Sequence, residues 1–186
     1  MAASSRDASV SYAALLSDSR FVVVLLVAVA GTIGSVLPPA LPAIAAGLGV
    51  SDGTVGQLVT AYKLPSILIV AVAAAVADIY GRRAVLLPSL AVFGLAGSLM
   101  VMLPSFRLLL AFAAVLGVGA AAIYPLSVTL LGDFFSGERN AAGQGIRVGV
   151  IGIGTVLVPA VTGTLAGVGW NYPFLLFLFV FPIAGV

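Results

Sequence analysis

A chain of 186 residues that is 62% hydrophobic and only 8% charged has too little polar surface for a soluble globular domain, which carries about 25% charged residues. The net charge of +2 rests on eight Lys and Arg that are scattered rather than patched, which argues against a nucleic-acid surface. With no Cys and no His there is no disulfide frame, no thiol chemistry and none of the usual zinc or haem ligand sets, so neither a metal nor a cofactor is expected.

The mean hydropathy of +1.27 makes the bilayer the solvent. The first twenty residues, MAASSRDASVSYAALLSDSR, lack the basic start and apolar core of a signal peptide and read as a short solvated tail, 1–20. From Phe21 to Val50 no charge occurs. Crossing about 30 Å of hydrocarbon takes about 20 residues, so this run holds one span, 21–44. Pro38, Pro39 and Pro42 near its far end are expected to kink or terminate it.

The second span covers 54–77 and contains Lys63. The third covers 84–103, and the fourth, 108–131, is followed by the polar loop GDFFSGERN. The fifth covers 141–165, and GVGWNYP turns the chain into a sixth, 170–186. The fold expected is an all-α membrane protein with six transmembrane helices over 21–186 and no soluble domain. Trp170 to Val186 gives 17 residues, about 25 Å of helix, and no basic anchor follows. Such a helix reads as cut, so the protein is expected to continue.

Orientation follows from Lys and Arg in short loops. Arg6, Arg20, Arg82, Arg83 and Arg139 fall on one side with Arg147 close by, and only Arg107 falls in a loop on the other. The N-terminus is therefore expected in the cytoplasm, in a multi-pass protein of the cytoplasmic membrane.

Ionisable residues at membrane depth are functional candidates, because burying them is costly. Lys63 lies about 13 Å into the second helix. Gln57, Thr60 and Lys63 share a sector of about 120°, a polar stripe that favours a water-filled path. The alternative is a lysine that snorkels outward. Arg147 could line a cavity or reach back to the headgroups. Thr32, Ser35, Tyr124 and Ser127 are further cavity candidates, each equally able to bond a backbone carbonyl. Gly145, Gly149, Gly152, Pro159 and Gly163 share one face of the fifth helix, a small-residue face that lets another helix approach closely. No span holds Asp, Glu or His, so any proton relay would take its carboxylate from elsewhere.

The loop between spans two and three gathers Asp78, Arg82 and Arg83 in a chain that otherwise keeps charge scarce. Two arginines satisfy the orientation bias alone; Asp78 does not contribute to it. Four residues from Arg82, Asp78 could form a charge-assisted pair, and Gly81 allows the tight turn. The stretch AAVADIYGRR resembles the signature G-x-x-x-D-R-x-G-R-R of the major facilitator superfamily. Asp78, Gly81, Arg82 and Arg83 match; Ala74 and Ile79 depart. VLPPALPAIAAGLGVSDGTVGQLVTAYKL, LGVGAAAIYPLSVTLLGDFFSGERNAAG and GWNYPFLL look like further parts of the same six-helix half, in order. The Arg expected four before Gly117 is Ala113, and GTVLVPAVTG keeps Gly154, Pro159 and Gly163 of an exporter pattern but has Val158 and Thr162.

The resemblance implies the 3+3 inverted-repeat half of a secondary transporter, with its site near the midplane between two halves. It implies rocker-switch movement of a small organic solute, in the export direction, and a cytoplasmic latch of Asp78, Arg82 and Asp133; a loop that only sets orientation is the alternative. The expected partners are a small-molecule substrate, with an anionic one left open, the lipid bilayer, and either a C-terminal six-helix half or a second copy of the chain. The rival reading is a six-helix module that transports nothing, a scaffold, sensor or degenerate half. With no nucleophile–base pair in view, an enzyme is not expected.

The cysteine-free background makes the orientation testable. Ser51→Cys should react with an impermeant thiol reagent from outside, and Ser136→Cys only after permeabilisation. The reverse labelling would overturn the orientation.

Overall fold

The computed structural model describes residues 12–185. Arg6 and the start of the tail lie outside them. Hydrocarbon offers no partner to a backbone N–H or C=O, so a crossing segment must bond to itself as a helix. Every element among the described residues is helical. The long helices are α1 (Ser19–Leu48), α2 (Asp52–Tyr80), α3 (Arg82–Met102), α4 (Phe106–Phe134) and α5 (Gly137–Val168), each long and apolar enough to cross a membrane. The shorter α6 covers Tyr172–Ala184. Each of the first five begins up to a turn before its apolar run, because polar residues there continue the ladder.

The Asp18 carboxylate accepts from the Arg20 amide at 3.0 Å and caps α1. Pro38 and Pro39 have no N–H to give to the carbonyls one turn back, and the ladder tightens to a 3-10 segment at Ile33–Val36. Both prolines then stand in the first turn of the resumed helix, where no N–H is required. The prolines interrupt α1 but do not terminate it. It passes through Pro42 and stops at Gly49, whose φ of 64° suits a residue without Cβ.

Two further details depart from the sequence reading. Tyr12–Leu16 is helical rather than a solvated tail, with Leu15 fully buried beside Phe21, Val24, Leu131 and Phe135. In α6, Tyr172–Phe179 is 3-10 and only Val180–Ala184 is α-helical. A 3-10 helix rises about 2.0 Å per residue, so these eight and five residues together reach about 24 Å.

Lipid tails are as apolar as leucine, so helices associate through close packing rather than through a hydrophobic drive. The closest approaches of one helix backbone to the glycines of another are on α4. A Cβ on Gly117 would fall on the Tyr62 carbonyl oxygen in α2, and one on Gly119 would lie 2.6 Å from the Phe93 nitrogen in α3. α3 takes α6 in the same way, with the Phe177 ring occupying the space a Gly97 side chain would need. Phe93 and Phe177 meet edge to face at 5.2 Å.

The glycines of α5 fall into two sets. Gly145, Gly149, Gly152 and Gly163 have nothing within 4 Å of a Cβ, whereas Gly154 packs on Thr32, and Gly143 on Phe21 and Leu131. Periodicity identified a shared face, but among the described residues no helix covers it. The same openness marks α2. Only 11% of its apolar window and 6% of that of α5 is buried, against 56% for α1.

Gly119→Leu should therefore lower the stability of the purified protein by about 1–3 kcal/mol or more, the cost of overpacking. Gly53→Ala, with open space around it, should leave the thermal midpoint in detergent unchanged. Equal effects would show that the α3–α4 approach is not the tight contact.

Candidate functional site

The interruption in α1 lies beside a cavity. Two adjoining spaces of about 320 and 240 Å³ share Gly31, Tyr62, Lys63 and Tyr124. Their walls come from α1, α2, α4 and α5, the last through Ile151 and Thr155. Thr32 and Ser35 line the larger space, and each hydroxyl donates to a backbone carbonyl at 2.7 Å, of Val29 and Thr32 respectively. Those bonds use each hydrogen and leave oxygen lone pairs for a ligand. The Tyr62 hydroxyl sits where a side chain on Gly34 would otherwise be.

Lys63 borders both spaces, is exposed, and has its Nζ 5.3 Å from the centre of the Tyr62 ring. No carboxylate pairs with it among the described residues. Gln57 and Thr60 are exposed on the same helix but do not line the cavity. Ser66 lines the smaller space, and the spacing of three that links Gln57, Thr60 and Lys63 would have found it one step further on. Tyr62 and Thr155 carried no such signal.

Arg147 neither lines the cavity nor reaches back to the headgroups. It is 3% exposed, locked between α4 and α5. Its Nε donates to Gln144 Oε1 and its Nη1 to Ser127 Oγ, both at 3.0 Å, and its guanidinium lies 5.2 Å from the centre of the Tyr124 ring. Ser127 in turn donates to the Tyr124 carbonyl at 2.7 Å. Gln144 is held by the Val128 carbonyl at 3.1 Å and by Asn140 at 3.4 Å. The charge is thus solvated by neutral dipoles and a ring face. It sits behind Tyr124, which lines both spaces of the cavity.

At the end of the helices where α2 meets α3, Arg82 Nε pairs with Asp133 Oδ2 at 2.8 Å. The expected Asp78–Arg82 pair is absent. Gly81, at φ 90° and ψ 145°, ends α2 and starts α3 in a new direction, so the two residues never share a helix face. Asp78 and Arg83 are exposed and make no ion pair among the described residues. No group of side chains that could hold a metal ion occurs among the described residues.

The family model of the Major Facilitator Superfamily matches residues 23–186, nearly the whole chain. The chain belongs to this superfamily. Among its relatives is the multidrug transporter protein MdtP of Bacillus subtilis, 31% identical over 142 residues, 76% of this chain and 26% of the relative. The bacillibactin exporter of the same organism is 31% identical over 75% of this chain and 37% of its own length. The efflux pump FUS6 of Gibberella fujikuroi is 32% identical over 82% of this chain and 27% of its own. The chain thus spans between about a quarter and somewhat over a third of the length of these relatives. It is a multi-pass membrane protein of a family that moves small molecules and does no catalysis.

The Arg147 network makes an unequal pair of predictions for this superfamily member. Ser127→Ala leaves a buried guanidinium hydrogen without a partner and should cost about 1–2 kcal/mol. Arg147→Met removes the charge and leaves only neutral acceptors, the Gln144 Oε1 and the Ser127 Oγ, without their donor, so it should cost less than Ser127→Ala. Thermal unfolding of both variants in detergent checks the order. A larger loss for Arg147→Met would mean that the guanidinium holds α4 to α5.

Proposed function

We propose that the chain forms one half of a secondary transporter that exports a small organic solute by alternating access, with the Lys63 cavity as this half's part of the substrate path. The observation that carries the reading is the cavity itself. In a superfamily member it opens among α1, α2, α4 and α5, beside the two helices whose faces are least covered. A second six-helix half packed on those faces would close it, as expected for a site between halves. The lengths of the relatives support that partner over a second copy of the chain, and their names, an exporter and an efflux pump, support the outward direction. The arginines at the Arg20, Arg82 and Arg139 ends support a cytoplasmic N-terminus in the cytoplasmic membrane.

Within this reading Lys63 faces the solute and Arg147 adds positive potential from behind Tyr124. With Lys63 at the cavity, Arg147 buried behind it and no carboxylate among the lining residues, an anionic solute or an acidic group from the other half completes the site. The Arg82–Asp133 pair serves as this half's part of the latch at the cytoplasmic end, with Asp78 free to meet the other half.

The test compares export of an anionic fluorescein derivative and of cationic ethidium by the full-length protein at matched levels. Lys63→Gln should slow export of the anion about tenfold, the equivalent of roughly 1.4 kcal/mol of transition-state stabilisation. Lys63→Arg, which keeps the charge, should retain a substantial part. Wild-type export by both variants would remove Lys63 from the solute path.

A further inference from the structure

A second cavity, of about 220 Å³, shares no residue with the first and is lined by α1, α3, α4 and α6. Its polarity runs along the helix axes. Arg20 in the first turn of α1 and Arg83 in the first turn of α3 border it at one end. One to two turns deeper its walls are Val27, Leu86 and Leu90. That depth is about 10 Å.

Neither arginine has a counter-ion among the described residues. The ion pair at this end takes Arg82 to Asp133, and the Asp18 carboxylate is engaged by the Arg20 amide. The Arg20 guanidinium lies 5.7 Å from the centre of the Phe134 ring, at the edge of the same cavity. Two cations without an anion, above an apolar slot, define the chemistry of what fits. A free hydrated anion gains nothing from the slot. A zwitterionic headgroup brings its own ammonium to a doubly positive mouth. A molecule with an anionic phosphate and a hydrocarbon chain satisfies both ends.

We propose that this cavity binds an anionic phospholipid from the leaflet that this end of the helices faces, its phosphate between Arg20 and Arg83 and one acyl chain running inward along Leu86 and Leu90. Basic pockets between transmembrane helices suit anionic headgroups on these grounds. The membrane supplies the ligand at the right depth, and the site needs neither the solute path nor a particular direction of transport. Bound there, a lipid would bridge α1 and α3 at the end where the Arg82–Asp133 pair joins α3 to α4.

The full-length protein is reconstituted into phosphatidylcholine vesicles with a trace of phosphatidylglycerol carrying a photoreactive acyl chain, or with the matching phosphatidylcholine probe, and crosslinked peptides are mapped by mass spectrometry. Labelling of the α3 segment around Leu90 should favour the phosphatidylglycerol probe about tenfold. Arg20→Gln combined with Arg83→Gln should abolish the preference, and the corresponding pair of Lys substitutions should keep it. Leu87→Trp narrows the slot with both charges in place and should lower labelling even if the Gln variant inserts poorly. Equal labelling by the two probes, or a preference that survives both the Gln pair and Leu87→Trp, overturns the proposal. So does competition by inorganic phosphate, which would make this a free-anion site, and so does labelling by neither probe, the result if another part of the protein fills the cavity.

Discussion

The fold depends on one constraint, the absence of a Cβ at two places on α4. Gly117 brings the backbone of α2 against α4 at Tyr62, and Gly119 brings that of α3 against it at Phe93. In lipid this approach has no substitute, because leucines gain little by leaving hydrocarbon for other leucines. The cavity follows from it. With the Tyr62 carbonyl fixed on α4, its side chain crosses to Gly34 in the interrupted stretch of α1, and Lys63 is presented to the space beside it. Further along α4, Tyr124 and Ser127 meet Arg147, so the helix that sets the cavity's width also carries its electrostatic backing.

The two membrane-depth cations answer the same energetic problem in different ways. An unpaired charge in hydrocarbon is costly, and the chain places no carboxylate in its spans to offset it. Arg147 has five donors and a planar group, so it can be solvated by Gln144, Ser127 and the Tyr124 face without an anion. Lys63 is a compact, strongly hydrated ion and keeps its exposure instead. The residue types fit their places: the charge that must stay dry is the guanidinium, and the charge open to the cavity is the ammonium.

Much of the fold was legible because hydrocarbon leaves the backbone so few choices. Helix number, order and approximate limits follow from apolar runs between charges. What the sequence hid were contacts, which depend on direction. Glycine spacing on α5 revealed a common face, but Gly143 and Gly154, off that pattern, are the ones in contact. Asp78 and Arg82 stand four apart, as a helical pair would, yet Gly81 between them removes the helix that the rule assumes. The cavity was half legible. Lys63, Thr32, Ser35 and Tyr124 line it, Arg147 and Ser127 stand behind it, and Gln57 and Thr60 stay outside.

The Arg82–Asp133 pair shows how such a scaffold can hold and still move. The side chains are 26% and 45% exposed, a setting in which an ion pair contributes about 0–1 kcal/mol. A contact that small cannot lock a conformation, but it can bias two arrangements of similar energy. Arg82 also keeps a buried Nη1 with no partner among the described residues, a donor that any neighbour brought to this end could take. The firm contacts of the chain, Gly117 on Tyr62 and Gly119 on Phe93, lie within the bundle. The weak and incomplete ones lie at its end and on the open faces of α2 and α5. The transporter half proposed above, rocking as a body against another, would need that division: rigid where its own helices meet, and only lightly held where the halves part.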